Sequence, residues 1–229
     1  MALVGTVTKN TDKTINHTLE AGNGNRIVFA FGAHENALVA GASATYGGVA
    51  MTKLTQVADG STHAGYLFYI LEADLPDNGA NTCTITAAGM TSGRGMAVAC
   101  FDDLAQSAMT AYDADTLASE NPKTLDVAVA SANDLVISCL LSLSAASSWS
   151  AHSLDTVVTW NGYFNSTKLL FSHDLDVPAG AFTCSHTFTA AAANGVHIVL
   201  TAPALAAEPP ALARIVNEHR RRMRTLLTR

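Results

Sequence analysis

Ile27-Val28-Phe29-Ala30-Phe31 is the stretch that decides the fold of this chain. A strand with one face in water alternates apolar and polar residues. A continuous apolar run is instead typical of a strand that is covered on both sides or lies centrally in a sandwich. Leu135-Val136-Ile137 is a second run of this kind. The sequence therefore predicts two such strands, one in each half of the chain.

Other short β-rich runs surround these two and are separated by clusters of Gly, Asn, Asp and Pro. Their spacing of about ten residues is typical of a sandwich or barrel. In Thr82 to Thr86, Cys83 and Ile85 are predicted to point inward, and in Thr183 to Thr189 one face holds Cys184, His186 and Phe188. No helical period precedes residue 208. The predicted strands are 26–33, 49–57, 65–72, 81–87, 96–102, 124–130, 134–143, 156–160, 168–173, 182–189 and 196–202.

The two halves of the chain repeat the same order of motifs, over about 14–102 and 124–202. They could form two small domains or, more economically, interleaved halves of one domain over 1–207, since no linker divides them. The predicted fold class is all-β: a jelly-roll-like antiparallel β-sandwich built from two similar halves, followed by a C-terminal α-helix. The aligned segments are 14–28 with 124–136, 75–84 with 177–185, and 95–99 with 195–199.

A set of turn and strand motifs within residues 20–105 resembles β-sandwich modules that recur in tailed-phage virion proteins and in some bacterial surface proteins. The resemblance implies a fold and carries over no catalytic residue. The second half lacks a Tyr-Gly-Gly turn, and the basic C-terminal segment is not part of the module. The motifs are Asn25-Arg26-Ile27-Val28, Thr45-Tyr46-Gly47-Gly48 with Met51-Thr52, Gly65-Tyr66-Leu67-Phe68-Tyr69, and Pro76 to Gly79 before a Thr-rich strand.

Charge is divided unevenly along the chain. Residues 1–207 carry seven basic and seventeen acidic side chains, whereas 208–229 carry six arginines and two glutamates. Opposite blocks of this kind indicate a tail that seeks an acidic or phosphate-bearing surface, or the acidic body of a neighbouring subunit. Charged residues make up only 14% of the chain, which suits a surface packed beside other subunits.

The cysteines and the first residues predict where the chain is made. The sequence Met-Ala-Leu-Val-Gly-Thr at its start has no basic region and no long apolar stretch, so we predict no signal peptide and synthesis in a host cytoplasm. No run is long enough to span a bilayer. Four cysteines lie singly in strand-like segments, which favours buried free thiols over disulfides or a zinc site: Cys83, Cys100, Cys139 and Cys184.

The eight histidines show no HxH or HExxH spacing, and no metal or cofactor is predicted. His186 and His197 fall on apolar strand positions, where a hydrogen-bonded core histidine is the favoured interpretation over a ligand. Ser172-His173-Asp174 contains three triad residue types, but neighbours in a strand point to opposite faces, so catalysis is disfavoured. The histidines are His17, His34, His63, His152, His173, His186, His197 and His219.

Two further motifs have ordinary explanations. Gly89 to Gly95 lacks the Gly-Lys-Ser/Thr ending of a phosphate loop and leads into a strand, so it is interpreted as a hairpin turn. Asp102, Asp103, Asp113 and Asp115 could gather to take up calcium, yet the DxDxDG pattern is missing, and a solvated acidic loop is favoured.

Aromatic residues suggest a glycan-binding alternative. Trp160-Asn161-Gly162-Tyr163-Phe164 has a turn signal between aromatic flanks and is predicted to be a hairpin tip. Exposed rings such as Trp160 and Tyr163 could stack on sugars. The favoured explanation is that these rings and Trp149 close the ends of the core.

The last residues predict one amphipathic helix that begins near Pro209-Pro210. On a helical wheel its arginines lie opposite an apolar stripe. The helix could dock on its own sandwich or on another subunit. Docking on another subunit is favoured, with nucleic acid unlikely and a membrane disfavoured. The predicted docking residues are Leu212, Arg214, Ile215, Val216, Arg220, Arg221, Arg222, Met223, Arg224 and Leu226.

These observations together predict a non-enzymatic phage virion protein, a capsid decoration or cement subunit that stabilises the head through contacts between subunits. The expected partners are the major capsid protein or other virion subunits, and copies of the chain itself as a homo-oligomer. The alternative is a tail-associated or surface adhesin that binds host glycans. Either would be located on the virion or at a surface, after synthesis without a signal peptide.

Overall fold

The computed structural model describes residues 1–35, 41–59, 63–88, 90, 94–117, 121–143, 149–161, 167–175, 177–188 and 195–205. These residues form seventeen strands and one short 3-10 helix, Glu72–Asp74. The predicted C-terminal helix lies outside the described residues. None of the helical structure described is long and apolar enough to cross a membrane.

Nine strands belong to the first half of the chain. They are β1 (Leu3–Asn10), β2 (Thr14–Leu19), β3 (Ile27–His34), β4 (Ser43–Tyr46), β5 (Val49–Ala50), β6 (Thr52–Ala58), β7 (Ala64–Leu71), β8 (Gly79–Thr86) and β9 (Gly95–Phe101). They pair antiparallel in two sheets: a first inner sheet in the order β1-β9-β3-β7-β6, and a first outer sheet in the order β2-β8-β4-β5.

Eight strands belong to the second half. They are β10 (Tyr112–Leu117), β11 (Lys123–Val129), β12 (Leu135–Leu143), β13 (Trp149–His152), β14 (Thr156–Asn161), β15 (Thr167–Asp174), β16 (Gly180–Phe188) and β17 (Gly195–Ala202). The second inner sheet has the order β10-β17-β12-β15-β14, and the second outer sheet has the order β11-β16-β13.

Each half therefore builds its own jelly-roll-like sandwich, with the same strand order in both except that the described second outer sheet has no counterpart of β5. No described strand of one half is part of a sheet of the other. Among the described residues, the strand pairing follows the two-unit alternative, whereas the sequence favoured interleaved halves. The all-β fold with two similar halves is confirmed.

The predicted repeat has a backbone counterpart. Asn25 and Asn133 each precede the central strand of their sandwich with a positive φ, 51° and 88°. Gly79 and Gly180 begin β8 and β16 with φ of 124° and 130°, a region that glycine adopts more readily than residues with a Cβ. Equivalent turns in the two halves thus require equivalent residue types.

The two inner sheets pack face to face and form the largest core of the molecule. Alternate residues of β3, such as Phe29 and Phe31, lie in this central core with Ile137 and Cys139 of β12. The intervening residues of β3, such as Val28, lie in a second core beneath the first outer sheet. All eight residues of β3 are buried, so the prediction of a strand covered on both sides is confirmed.

The molecule thus has four layers: outer sheet, inner sheet, inner sheet, outer sheet. Contacts between the inner sheets join β3 with β12, β6 with β10, and β7 with β17. β9 and β15 are the counterparts of β17 and β7, and they are also in contact, through Phe101 and His173. The strand orders of the two inner sheets therefore run in opposite directions across the interface, with β3 and β12 facing each other at its centre.

Candidate functional site

The core of the second sandwich contains a polar cluster between its two sheets. The Sγ of Cys184 and ring nitrogens of His186 and His197 all lie within 4.8 Å of one another. Ser138 Oγ lies between the two rings, 2.8 Å from His186 Nε2 and 2.7 Å from His197 Nε2. Cys184 Sγ is 3.4 Å from His186 Nε2. All four side chains are fully buried.

Strand register brings these residues together. Cys184 and His186 are two residues apart on β16 and therefore share a face. Ser138 of β12 and His197 of β17 belong to the opposing inner sheet. The favoured interpretation of His186 and His197 as hydrogen-bonded core histidines is confirmed by their bonds to Ser138.

Two more ionisable residues join the cluster from the outer sheet. His152 of β13 is half-buried, and its Nδ1 is 3.0 Å from His186 Nδ1. Lys123 of β11 pairs with His186 in the strand register and is fully buried. The cluster therefore reaches from the core towards the surface through His152.

Burial sets the protonation of the cluster. It lowers the pKa of His186 to about 3, with a smaller effect from His152, and it lowers the pKa of His197 well below its usual value. Burial also raises the pKa of the Cys184 thiol to about 11. At neutral pH both imidazoles are thus neutral and the thiol is protonated.

The equivalent core of the first sandwich is apolar. Strand pairing places Ala30 of β3 opposite Val98, as Ser138 of β12 lies opposite Val199. The same comparison of registers matches the two serines and three histidines of this core with apolar residues, whereas Lys123 matches Lys13. The matches are Ser138 with Ala30, His152 with Ala44, Ser172 with Phe68, His186 with Ile85 and His197 with Met96.

Some polar atoms of the second core have no hydrogen-bond partner among the described residues. They are Ser142 Oγ, Ser172 Oγ and His197 Nδ1. Ser172 pairs with Ser138 across β15 and β12, so it lies on the face of the sheet that carries the cluster. Unsatisfied buried polar groups cost free energy.

The buried histidines of the first sandwich each lie beside a polar side chain of another residue. His17 Nδ1 is 2.7 Å from the Tyr46 hydroxyl, and His34 Nε2 is 3.0 Å from the Tyr66 hydroxyl. His63 Nδ1 contacts the Asp59 carboxylate. These are structural pairs, each tying two strands or one turn together.

The sequence indicated that Ser172-His173-Asp174 is not a catalytic triad, and these side chains do not converge in the structure. Ser172 lies on the face of the cluster, whereas His173 lies in the central core against Phe101, with ring centroids 5.0 Å apart. The two side chains therefore point to opposite faces of β15.

The acidic residues also have separate roles. Asp102 is buried and accepts hydrogen bonds from the Ala2 and Asn23 N–H groups. Asp103 forms an ion pair with the N-terminal amine of Met1. Asp113 and Asp115 accept bonds from neighbouring backbone N–H groups of β10. The calcium alternative requires these four carboxylates to converge, and they do not form one group in the described part of the chain.

A cavity of about 630 Å³ lies where the described chain ends. Its lining includes Asp103, Asp134 and Leu205. Asp134 accepts hydrogen bonds from the Ser131 and Ala204 N–H groups, and Asp103 is paired with the N-terminus. Both carboxylates are thus engaged in holding backbone.

Most of the other predicted site residues lie outside the described part of the chain. All ten docking residues between Leu212 and Leu226 lie outside the described residues, as do Tyr163 and most of Gly89 to Gly95. The backbone of Trp160 lies in edge strand β14 and pairs with Leu169. All four cysteines are buried free thiols, as predicted.

Comparisons with protein-family models, with curated proteins and with solved structures found no match for this chain.

Proposed function

We propose that the chain is a non-enzymatic structural subunit of a larger assembly, a head decoration or cement protein of a tailed-phage virion. The observation that carries the proposal is the separation of charge between an acidic body and a C-terminal segment with six arginines. The phage assignment rests on the resemblance of residues 20–105 to virion sandwich modules. The fold which that resemblance implies is the fold observed.

The body offers carboxylates to a basic partner. Asp113 and Asp115 are exposed on β10, an edge strand of the second inner sheet, and Asp126 is exposed on β11. Arginine pairs with carboxylates through its planar fork of N–H donors. The basic segment of one subunit would thus meet the acidic body of the next.

The described chain ends at an exposed residue, Leu205. Its N–H donates to the Asp103 carbonyl oxygen at 2.7 Å. This hydrogen bond ties Leu205, the last described residue before the C-terminal segment, to the body. Repeated in a symmetric lattice, individually weak contacts of this kind add to a stable attachment.

The test compares the full chain with two variants of the basic segment. In one, Arg214, Arg220, Arg221, Arg222 and Arg224 become glutamate; in the other they become lysine, which keeps the charge. Sedimentation velocity at low and high salt reports self-association, and imaging of intact particles reports the position of a tagged chain.

We expect the glutamate variant to be absent from particles and to sediment as a folded monomer. The lysine variant should keep part of the association and lose it at a lower salt concentration, since the forked hydrogen bonds are gone. Incorporation of the glutamate variant at the wild-type level would contradict the proposal. Glycan-array binding that disappears in Trp160→Ala would replace it with the adhesin alternative.

A further inference from the structure

We propose that Cys184, His186 and His197 bind a soft d10 metal ion, Cu⁺ or Zn²⁺, in the core of the second sandwich. This goes beyond the assembly role and does not depend on it. Thiolate and imidazole donors select such ions, whereas Mg²⁺ and Ca²⁺ require oxygen ligands.

The spacing of the donors fits one ion. Zinc–sulfur bonds of about 2.3 Å and zinc–nitrogen bonds of about 2.0 Å place a thiolate and an imidazole nitrogen about 3.5 Å apart in a tetrahedral site. Cys184 Sγ and His186 Nε2 are already 3.4 Å apart. No pair of donor atoms is separated by more than 4.8 Å. Side-chain movements of about 1 Å therefore bring all three donors within bonding distance of one ion.

Metal binding requires a lone pair on each imidazole and the thiolate form of Cys184. Binding therefore exchanges the S–H bond of Cys184 for a sulfur–metal bond and sends one proton to solvent. Ser138 Oγ bonds to both rings, and it would move aside as the ion enters.

The net charge of the bound complex distinguishes Cu⁺ from Zn²⁺. One thiolate and two neutral imidazoles carry a charge of −1, which neutralises Cu⁺ and leaves Zn²⁺ with one excess positive charge. Lys123 adds a further buried basic group beside His186. An uncompensated charge is costly in such a core, so the charge balance favours Cu⁺.

The first sandwich shows that the fold does not require polar residues here. Five apolar side chains fill the equivalent positions, while the cysteine and the lysine are shared: Cys83 pairs with Ile15 as Cys184 pairs with Leu125, and Lys13 precedes β2 as Lys123 begins β11. Five buried polar side chains at matched positions, three of them histidine, cost stability wherever a polar atom lacks a hydrogen-bond partner. His197 Nδ1 and Ser172 Oγ remain without a partner in the described structure.

His152 completes the arrangement. Its Nδ1 lies 3.0 Å from His186 Nδ1, so the ring nitrogen of His186 that does not face the cluster has a hydrogen-bond partner. Metal-binding histidines are usually oriented in this way. His152 is also half-buried and marks the route by which an ion reaches the core from solvent.

The experiment titrates the full chain, stripped of metal, with Zn²⁺ and, under anaerobic reducing conditions, with Cu⁺ against a chromophoric chelator. We expect one equivalent to bind tightly and to raise the melting temperature. Cys184→Ala should lose that equivalent, whereas the matched Cys83→Ala should keep it. His152→Ala should bind about 10–100-fold more weakly.

A second variant keeps the test decisive if Cys184→Ala fails to fold. His186→Ile with His197→Met installs the residues of the first sandwich, so we expect it to fold with a higher urea midpoint and to bind no ion. Either ion bound in this pattern supports the site, and a tighter Cu⁺ complex supports the charge argument. Absence of a tight equivalent in the wild type, or its equal loss in Cys83→Ala, would overturn the proposal.

Discussion

Gly65 of β7 faces Val196 of β17 across the interface between the inner sheets, so closely that a Cβ at Gly65 would lie 3.1 Å from Val196 Cγ2. Phe31 Cε2 and Ile198 Cδ1 would be 3.6 and 3.7 Å away. The absence of a side chain at residue 65 therefore permits the close approach of the two sandwiches.

Enlarging Gly65 should destabilise the protein in proportion to the added volume. Gly65→Ala requires Val196 to shift by a few tenths of an ångström, whereas Gly65→Leu overpacks a dense core and should cost about 1–3 kcal/mol or more. Urea unfolding of the Ala, Val and Leu variants measures the series. Equal stabilities across it would mean that the inner sheets do not pack at this point.

The Arg26–Glu72 pair predicts a second, local loss of stability. Arg26 Nε lies 2.9 Å from Glu72 Oε2, a terminal nitrogen lies 2.7 Å from Oε1, and the guanidinium also donates to the Glu20 carbonyl oxygen. Arg26→Met removes these charge-assisted bonds at a partly buried site and should lower the free energy of unfolding by about 1–2 kcal/mol.

A double-mutant cycle with Glu72→Gln measures the coupling of this pair. The double variant should lose less than the sum of the two single variants. The control is Asp12→Asn, which breaks the more exposed Arg94–Asp12 ion pair and should change stability by less than about 1 kcal/mol. An additive cycle for Arg26 and Glu72 would show that the pair contributes nothing as a pair.

Local patterns in the sequence predicted most of the fold. Eleven runs were predicted as strands, and each overlaps a strand of the structure. The runs that were not predicted include β1 and β10, edge strands in which polar or charged residues interrupt the apolar pattern. Such segments become strands because a neighbour supplies hydrogen bonds, which short-range patterns do not record.

Local sequence patterns could not predict how the two halves are arranged or that the polar cluster forms, because both depend on contacts between residues far apart in the chain. A strand with two buried faces fits either an interleaved sandwich or two stacked ones, so β3 and β12 could not decide between them. For the cluster, aligning Gly95 with Gly195 matches His197 to Ala97, a residue of the central core. The strand register instead matches His197 to Met96, one residue away and on the other face.

Stability should fall as pH decreases, because the buried histidines of the first sandwich resist protonation. Burial lowers the pKa of both His17 and His34 to about 4, and His63 adds a smaller effect at His34. Between the usual pKa of about 6.5 and about 4, the unfolded chain binds more protons than the folded one. Each histidine thus removes up to about 1.4 kcal/mol per pH unit as pH falls through this window.

Glutamine variants isolate these contributions. His17→Gln and His34→Gln do not titrate, and an amide keeps a polar group near the hydroxyl of Tyr46 or Tyr66. Urea unfolding between about pH 7.5 and pH 4.5 should show a shallower loss of stability in each variant than in the wild type. Parallel curves for wild type and variants would contradict the assignment of the pH dependence to His17 and His34.

Replacing His173 should stabilise the protein, in contrast to the destabilising substitutions above. Both of its ring nitrogens are buried without a hydrogen-bond partner among the described residues, and burial lowers its pKa. The ring packs against Phe101 and, at a centroid distance of 6.4 Å, Phe171. His173→Phe keeps a planar ring in this aromatic site and removes the unsatisfied nitrogens, so it should raise the free energy of unfolding by about 1–2 kcal/mol.

The matched control is His34→Phe. There the imidazole is bonded to the Tyr66 hydroxyl at 3.0 Å, and phenylalanine would leave that hydroxyl buried without its partner, so we expect a loss of about 1–3 kcal/mol. Urea midpoints of the two variants at neutral pH therefore move in opposite directions. A loss of stability in both would mean that His173 has a partner in the folded protein, and its unsatisfied nitrogens could not then explain the difference between the two sites.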